Sequence, residues 1–203
     1  MTQTTARAID FSRCRAAPPT LEEFIALDHA ALVERYCLGV ENFSRRLFDL
    51  DDRQLDTAFL PGTTPDVGRW PARVLLGHLA DAELVFSHRM RRTVAEDRPV
   101  LAVFDENALI DAGLYNGPTH PAAGFVAVIH TLRRWTGEWL GTLKEPQWAR
   151  ACLHPERGEL SVRRIADYAT WHLEHHGWYL QRKIEKLLGP EPAGRCSGCQ
   201  CSK

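Results

Sequence analysis

Apolar positions recur along most of the chain at steps of three and four, with no convincing alternating run of strand length, so the pattern predicts amphipathic helices. Thr20 and Glu23 have capping-box spacing, and Leu32, Tyr36, Val40, Phe43 and Leu47 continue on one face, predicting an interrupted first helix to about Leu50. Pro61-Gly62-Thr63-Thr64-Pro65 is a loop. Trp70-Pro71 opens a second helix that runs to about Glu96 and is ended by Arg98-Pro99. A short helical piece around Asp105 to Ala112 leads to a third helix over roughly Ala122 to Leu143, with Phe125, Val128, Leu132, Trp135 and Leu140 as its inner face. Ala151 to Leu160 is a connection with the character of a small hairpin, tightest at His154-Pro155-Glu156-Arg157-Gly158. The fourth helix starts near Ser161 and stops at Gly189-Pro190. The sum is an all-α four-helix bundle over residues 20–189, with short loop insertions and flexible termini. Residues 1–19 form an arm laid on its surface, and residues 190–203 a Cys-rich tail.

With 44% hydrophobic and 25% charged residues in 203, the chain can bury a real core. Lys+Arg 25 against Asp+Glu 26, with no basic stripe, argues against nucleic acid as a partner. The longest apolar runs, such as Phe125 to Ile129, fall far short of the roughly 20 residues that cross a bilayer. Met1 to Arg15 is polar and lacks the apolar stretch of a secretory signal, so a cytoplasmic protein without a membrane partner is expected. In that reducing compartment the 6 cysteines are thiols or metal ligands rather than disulfides. Cys14, Cys37 and Cys152 are ordinary thiols. Cys196, Cys199 and Cys201 place three soft ligands close together, a second metal or redox site or simply exposed thiols; both readings stay open.

The histidines change the picture more. In Trp171-His172-Leu173-Glu174-His175-His176-Gly177-Trp178, His172 and His176 lie about 40° apart and one turn along, so both can address one ion. They share a stripe with Ile165, Tyr168, Ala169 and Tyr179, which suits the bundle interior. The second helix offers His78, also on an inward stripe. Three neutral imidazoles leave a divalent ion's charge uncompensated and a coordination position open for water or a substrate thiol. Asp81, one turn after His78, could orient a ligand imidazole or lie on the helix surface. Glu83 and Glu174 fall on the wrong sides of their helices to join. Arg89 lies near the same inner line and would meet either an anionic substrate or a carboxylate of the protein. Phe104-Asp105-Glu106-Asn107 could wall the site, and Trp178 and Tyr179 could line its pocket, although Trp70, Trp135, Trp171 and Trp178 are most simply packing aromatics. His154 is expected to cap or pack, and His29, His88, His120 and His130 to sit on the surface or in packing. There is no nucleophile elbow, phosphate loop or dinucleotide fingerprint.

Three elements together carry a resemblance: Trp70 with Arg73-Val74-Leu75-Leu76-Gly77-His78-Leu79-Ala80-Asp81-Ala82-Glu83, then His154-Pro155-Glu156-Arg157-Gly158, then His172-Leu173-Glu174-His175-His176. In order and spacing the chain resembles the DinB/YfiT-like family of metal-binding four-helix bundles over about residues 29 to 188. The resemblance implies a divalent metal, zinc or nickel, on His78, His172 and His176, although His175 leaves the ligand register open by one residue. It implies a homodimer and a small-molecule substrate. It also implies metal-assisted activation of a thiol or water for transfer or hydrolysis, with a low-molecular-weight thiol as a cosubstrate in some members. The alternative is a non-catalytic stress or metal-binding protein.

Overall fold

The computed structural model describes residues 15–59 and 66–190 of the chain. The loop at residues 61–65 and the tail cysteines Cys196, Cys199 and Cys201, like Cys14, lie outside the described residues. The interrupted first helix resolves into short pieces: α1 (Leu21–Ile25), α2 (His29–Leu38), two 3-10 turns (Gly39–Asn42 and Arg45–Asp49) and α3 (Asp52–Leu55). The breaks at the two ends of α2 have local causes. Asp28 caps α2 by accepting from the Ala31 amide, and at its other end Gly39 takes φ +44 where a Cβ would come within 2.8 Å of the Arg133 Cδ.

The other long elements are α4 (Ala72–Ala95), α6 (Ala122–Leu140) and α8 (Val162–Leu188), with α5 (Glu106–Asp111) and α7 (Glu145–Trp148) as single-turn connections. α4 packs along both α6 and α8, and α2 closes the bundle against α6 and α8. Leu75, Leu76, Leu79, Leu173, Leu180 and Ile184 fill one half of the core, and Leu32, Tyr36, Phe86, Met90, Val162 and Ile165 the other. α8 begins where Ser161 accepts from the Arg164 amide and ends at Gly189 with φ +82. Between α7 and α8 the expected hairpin is present: β1 (Ala151–His154) pairs antiparallel with β2 (Gly158–Ser161), placing His154 opposite Gly158. Its first strand is tied to the segment after α4 by a parallel bridge from Leu153 to Val100. No helix among the described residues is long and apolar enough to cross a membrane.

The third helix corrects the sequence reading. It stops at Leu140, and its buried face is Ala122, Ile129, Arg133, Thr136, Gly137 and Leu140, whereas Val128 and Trp135 are 46% and 54% exposed. The reason is Arg133, a charged residue that faces inward; Val128 and Trp135, five positions before it and two after, then fall on the opposite side of the helix. Its Nε and Nη2 donate to Glu83 Oε1 at 2.9 and 2.7 Å, its Nη1 to the Tyr36 carbonyl at 3.1 Å and its Nη2 to the Ala169 carbonyl at 2.5 Å. The Tyr36 hydroxyl donates to Glu83 Oε2 at 3.1 Å. One ion pair thus touches α2, α4, α6 and α8. Trp135, displaced to the outside, packs its ring on the Arg91 guanidinium, 3.6 Å from the ring centre.

Candidate metal centre

α4 and α8 lie side by side and bring His78, His172 and His176 together. Each offers a nitrogen within 4.8 Å of the other two, and the Nε2 atoms of His78 and His172 are 3.1 Å apart. Two nitrogens bound at about 2.0–2.1 Å to one tetrahedral ion would stand about 3.3 Å apart, so the spacing fits two donors converging on one ion. Burial pushes the pKa of His172 well below the usual imidazole value, and His176 and His78 beside it push the same way. Burial and His78 bring His176 down to about 3, and burial lowers His78. All three are neutral imidazoles at neutral pH, the form whose lone pair binds metal.

The outer contacts differ from the expectation for Asp81. Its carboxylate accepts from the Tyr115 hydroxyl at 2.6 Å, and the Nδ1 atoms of His78 and His172 are buried without a partner among the described residues. Ring packing orients these imidazoles instead. Trp70 and Phe104 stand against His78 with centroids 5.1 and 6.3 Å away, and Phe86 and Tyr168 against His172 at 5.5 and 5.9 Å. Trp70 and Trp171 therefore line the site rather than serve only as packing, and Phe104 and Glu106 form the wall expected of the segment after α4. Trp178 does not line it: it is buried, and its indole donates to the Arg15 carbonyl at 2.9 Å. The Trp171 indole donates to Pro19 at 2.9 Å, so the end of the N-terminal segment lies along α8. His175 also faces this segment, packing on Trp171 with centroids 4.7 Å apart and hydrogen-bonding the Pro19 backbone, which leaves His176 in the cluster.

Glu83 and Glu174 stay out of the cluster, each in an ion pair: Glu83 with Arg133, and Glu174 with Arg35 at 2.7 Å. Among the described residues Arg89 pairs with no carboxylate; its Nη2 donates to the Ala102 carbonyl at 2.7 Å. His154 is buried and accepts at Nδ1 from the Glu156 amide, capping its turn as expected, while also reaching the cavity. His29 stacks on Trp148 with centroids 4.6 Å apart, and His120 on Phe125 at 5.9 Å. Cys37 and Cys152 are free thiols.

The histidines open into a cavity of about 350 Å³. Behind His176 lies a smaller one of about 260 Å³, lined by Tyr179 and Lys183. Sequence reasoning missed Lys183, although it continues the His172, His176, Tyr179 stripe by one further step of four. Its amine donates to the carbonyls of Val67 and Gly68, and burial pulls its pKa down to about 8.

A four-helix bundle in which two adjoining helices present three neutral histidines to one cavity defines a class of helical protein built around a histidine cluster. Within that class the DinB superfamily pattern matches residues 39–180, and the chain belongs to that superfamily. A relative from Oceanobacillus iheyensis, named as a candidate metal-dependent hydrolase, is 27% identical over 149 residues, spanning 71% of this chain and 81% of its own. YfiT of Bacillus subtilis, named in the same way, is 30% identical over 129 residues, spanning 63% of this chain and 67% of its own. The solved structure of YfiT, described as an unusual four-helix bundle, superposes with a TM-score of 0.67 at 20% identity, over 80% of this chain and 89% of that one.

Proposed function

We propose that the protein is a metal-dependent enzyme that holds one divalent ion, zinc or nickel, on His78, His172 and His176, and activates a thiol or a water molecule toward a small-molecule substrate. The observation that carries this reading is the convergence of three neutral imidazoles, His78 and His172 buried and His176 half-buried, with nitrogens within 4.8 Å of one another, at the wall of a cavity large enough for a substrate. A divalent ion held there supplies Lewis acidity and lowers the pKa of a bound thiol or water toward neutrality. The chain's own part is to keep the imidazoles unprotonated by burial and to fix their planes by aromatic packing. Trp70, Phe86, Phe104 and Tyr168 exclude bulk water from that side of the cluster. A low-molecular-weight thiol as cosubstrate agrees with a site that, among the described residues, offers three neutral ligands and no thiolate.

Metal analysis of the purified full-length protein should find one equivalent of divalent metal, and a variant combining His78→Ala, His172→Ala and His176→Ala with removal of residues 190–203 should retain less than a tenth. A full equivalent in that variant would overturn the site. Conjugation of electrophiles with a panel of cellular thiols, and hydrolysis of simple esters and amides, should show turnover that metal removal abolishes. Stoichiometric metal without turnover in either assay would favour a binding protein over an enzyme.

A further inference from the structure

The histidine cavity is not closed at the end nearest the hairpin. There it meets a second cavity of about 340 Å³, and the two share Phe86, Arg89, His154, Arg157 and Tyr168 as lining. The lining of the second cavity contains Arg89, Arg157, Arg164 and His154 and no carboxylate, the remainder being apolar apart from the Tyr168 hydroxyl. The other arginines that the helices bury or half-bury beside a carboxylate use it: Arg35, Arg73, Arg92, Arg133 and Arg163 each form an ion pair. Among the described residues none pairs with Arg89, Arg157 or Arg164. Arg89 is half-buried and uses one nitrogen on a backbone carbonyl, while Arg157 rests its guanidinium over the Tyr168 ring, 4.6 Å from the centre. Burial and the neighbouring Arg157 charge both disfavour the Arg89 cation. Guanidinium groups left unpaired beside each other in a cavity gain most from a ligand that brings the missing negative charge, and their fork suits carboxylate or phosphate.

We infer that Arg89 and Arg157, with Arg164 behind them, form an oxyanion subsite beside the histidine cluster that takes a carboxylate or phosphate carried on an apolar body. Its role as a substrate subsite rests on the metal-dependent reading above; its binding of oxyanions does not. The Tyr168 ring links the two, lying under the Arg157 guanidinium and packing on His172. A molecule anchored by its oxyanion at the arginines would therefore extend along Tyr168 toward the histidines. Leu21, Leu101, Leu160 and Ile165 supply the apolar contact for its body. Glu156 and Glu106 line the histidine cavity and not the second one. Glu156 is close enough to oppose the burial effect on Arg89 without bridging it, so it competes with an incoming anion.

The test titrates the full-length protein with hexanoate, hexyl phosphate and hexanamide, following tryptophan fluorescence or heat. At least one of the two anions should bind at least tenfold tighter than the amide, and whichever shows the larger preference identifies the group preferred. The double variant Arg89→Met with Arg157→Met should lose that preference while keeping the metal content of the parent. Arg157→Met alone, on an exposed turn, should lose at least threefold with its melting temperature unchanged. Glu156→Gln should strengthen anion binding two- to fivefold, which a purely structural role for the arginines does not produce. His172→Ala should keep the arginine-dependent preference, so failure of the metal reading would show as missing metal with oxyanion binding intact. Equal affinity for all three probes would overturn the subsite. So would a preference that survives the double arginine variant and disappears in His172→Ala, since the anion would then sit on the metal.

Discussion

Two polar clusters are buried between the same helices, and they are built on opposite rules. Around Glu83 and Arg133 both carboxylate oxygens accept hydrogen bonds, and the guanidinium donates to the carboxylate and to two backbone carbonyls. Around His78, His172 and His176, two of the ring nitrogens are buried without partners among the described residues, and two others crowd each other at 3.1 Å. A satisfied buried network rigidifies and specifies a core. Converging unprotonated nitrogens do the reverse: two lone pairs aimed at one point are relieved by a cation held between them. The comparison separates, within one bundle, the polar residues that shape the fold from those that await a ligand.

The largest test of that contrast is Glu83→Ala. It leaves the Arg133 charge buried without a counterion and should cost about 3–5 kcal/mol in chemical denaturation. A loss below about 1 kcal/mol would mean that the cluster is not the closed structural unit described. The histidine cluster should show itself next through pH. Burial depresses the folded pKa values of His78, His172 and His176 below the ordinary 6.5, so the unfolded chain binds more protons than the folded one as pH falls through that value. Stability of the metal-free protein should therefore be fully present above about pH 7. On acidification it should be lost, by about 2 kcal/mol at pH 5 for His176 alone, whose folded value is about 3. A flat profile between pH 7 and 5 would refute the assignment of neutral buried imidazoles. The smallest effect has the opposite sign to the first. His172→Leu removes an unpartnered buried nitrogen and should stabilise the metal-free protein by about 1 kcal/mol while abolishing metal binding. Destabilisation by that substitution would place His172 among the structural residues.

α4 and α8 are legible in the sequence almost to the residue, because their caps and apolar periods are local properties. The Ser161 cap and the Gly189 stop act within one turn. The three histidines are legible for the same reason: two share a helix face, and the third lies on another inward stripe. What is not legible depends on partners distant in sequence. The face of α6 is misread because an inward Arg133 makes sense only beside Glu83, 50 residues away. Asp81 is drawn to Tyr115, which no spacing rule places near it. Arg157 and Arg164 look like surface charge until the hairpin turn and the start of α8 bring them to the cavity that Arg89 lines. Trp70 looks like packing until the approach of α4 and α8 sets it beside His176 as well as His78.

The contacts of Arg133 also bear on how the molecule comes together. A guanidinium that needs groups from α2, α4, α6 and α8 finds its full set only when all four helices have met. Any partly assembled bundle carries it either hydrated, holding the core open, or dry and short of partners. Intermediates with two or three helices docked are thereby penalised, and assembly approaches a single cooperative step. Since α4 and α8 also carry the histidines, the cluster has no half-formed state to occupy: it exists when the bundle is closed and is absent otherwise.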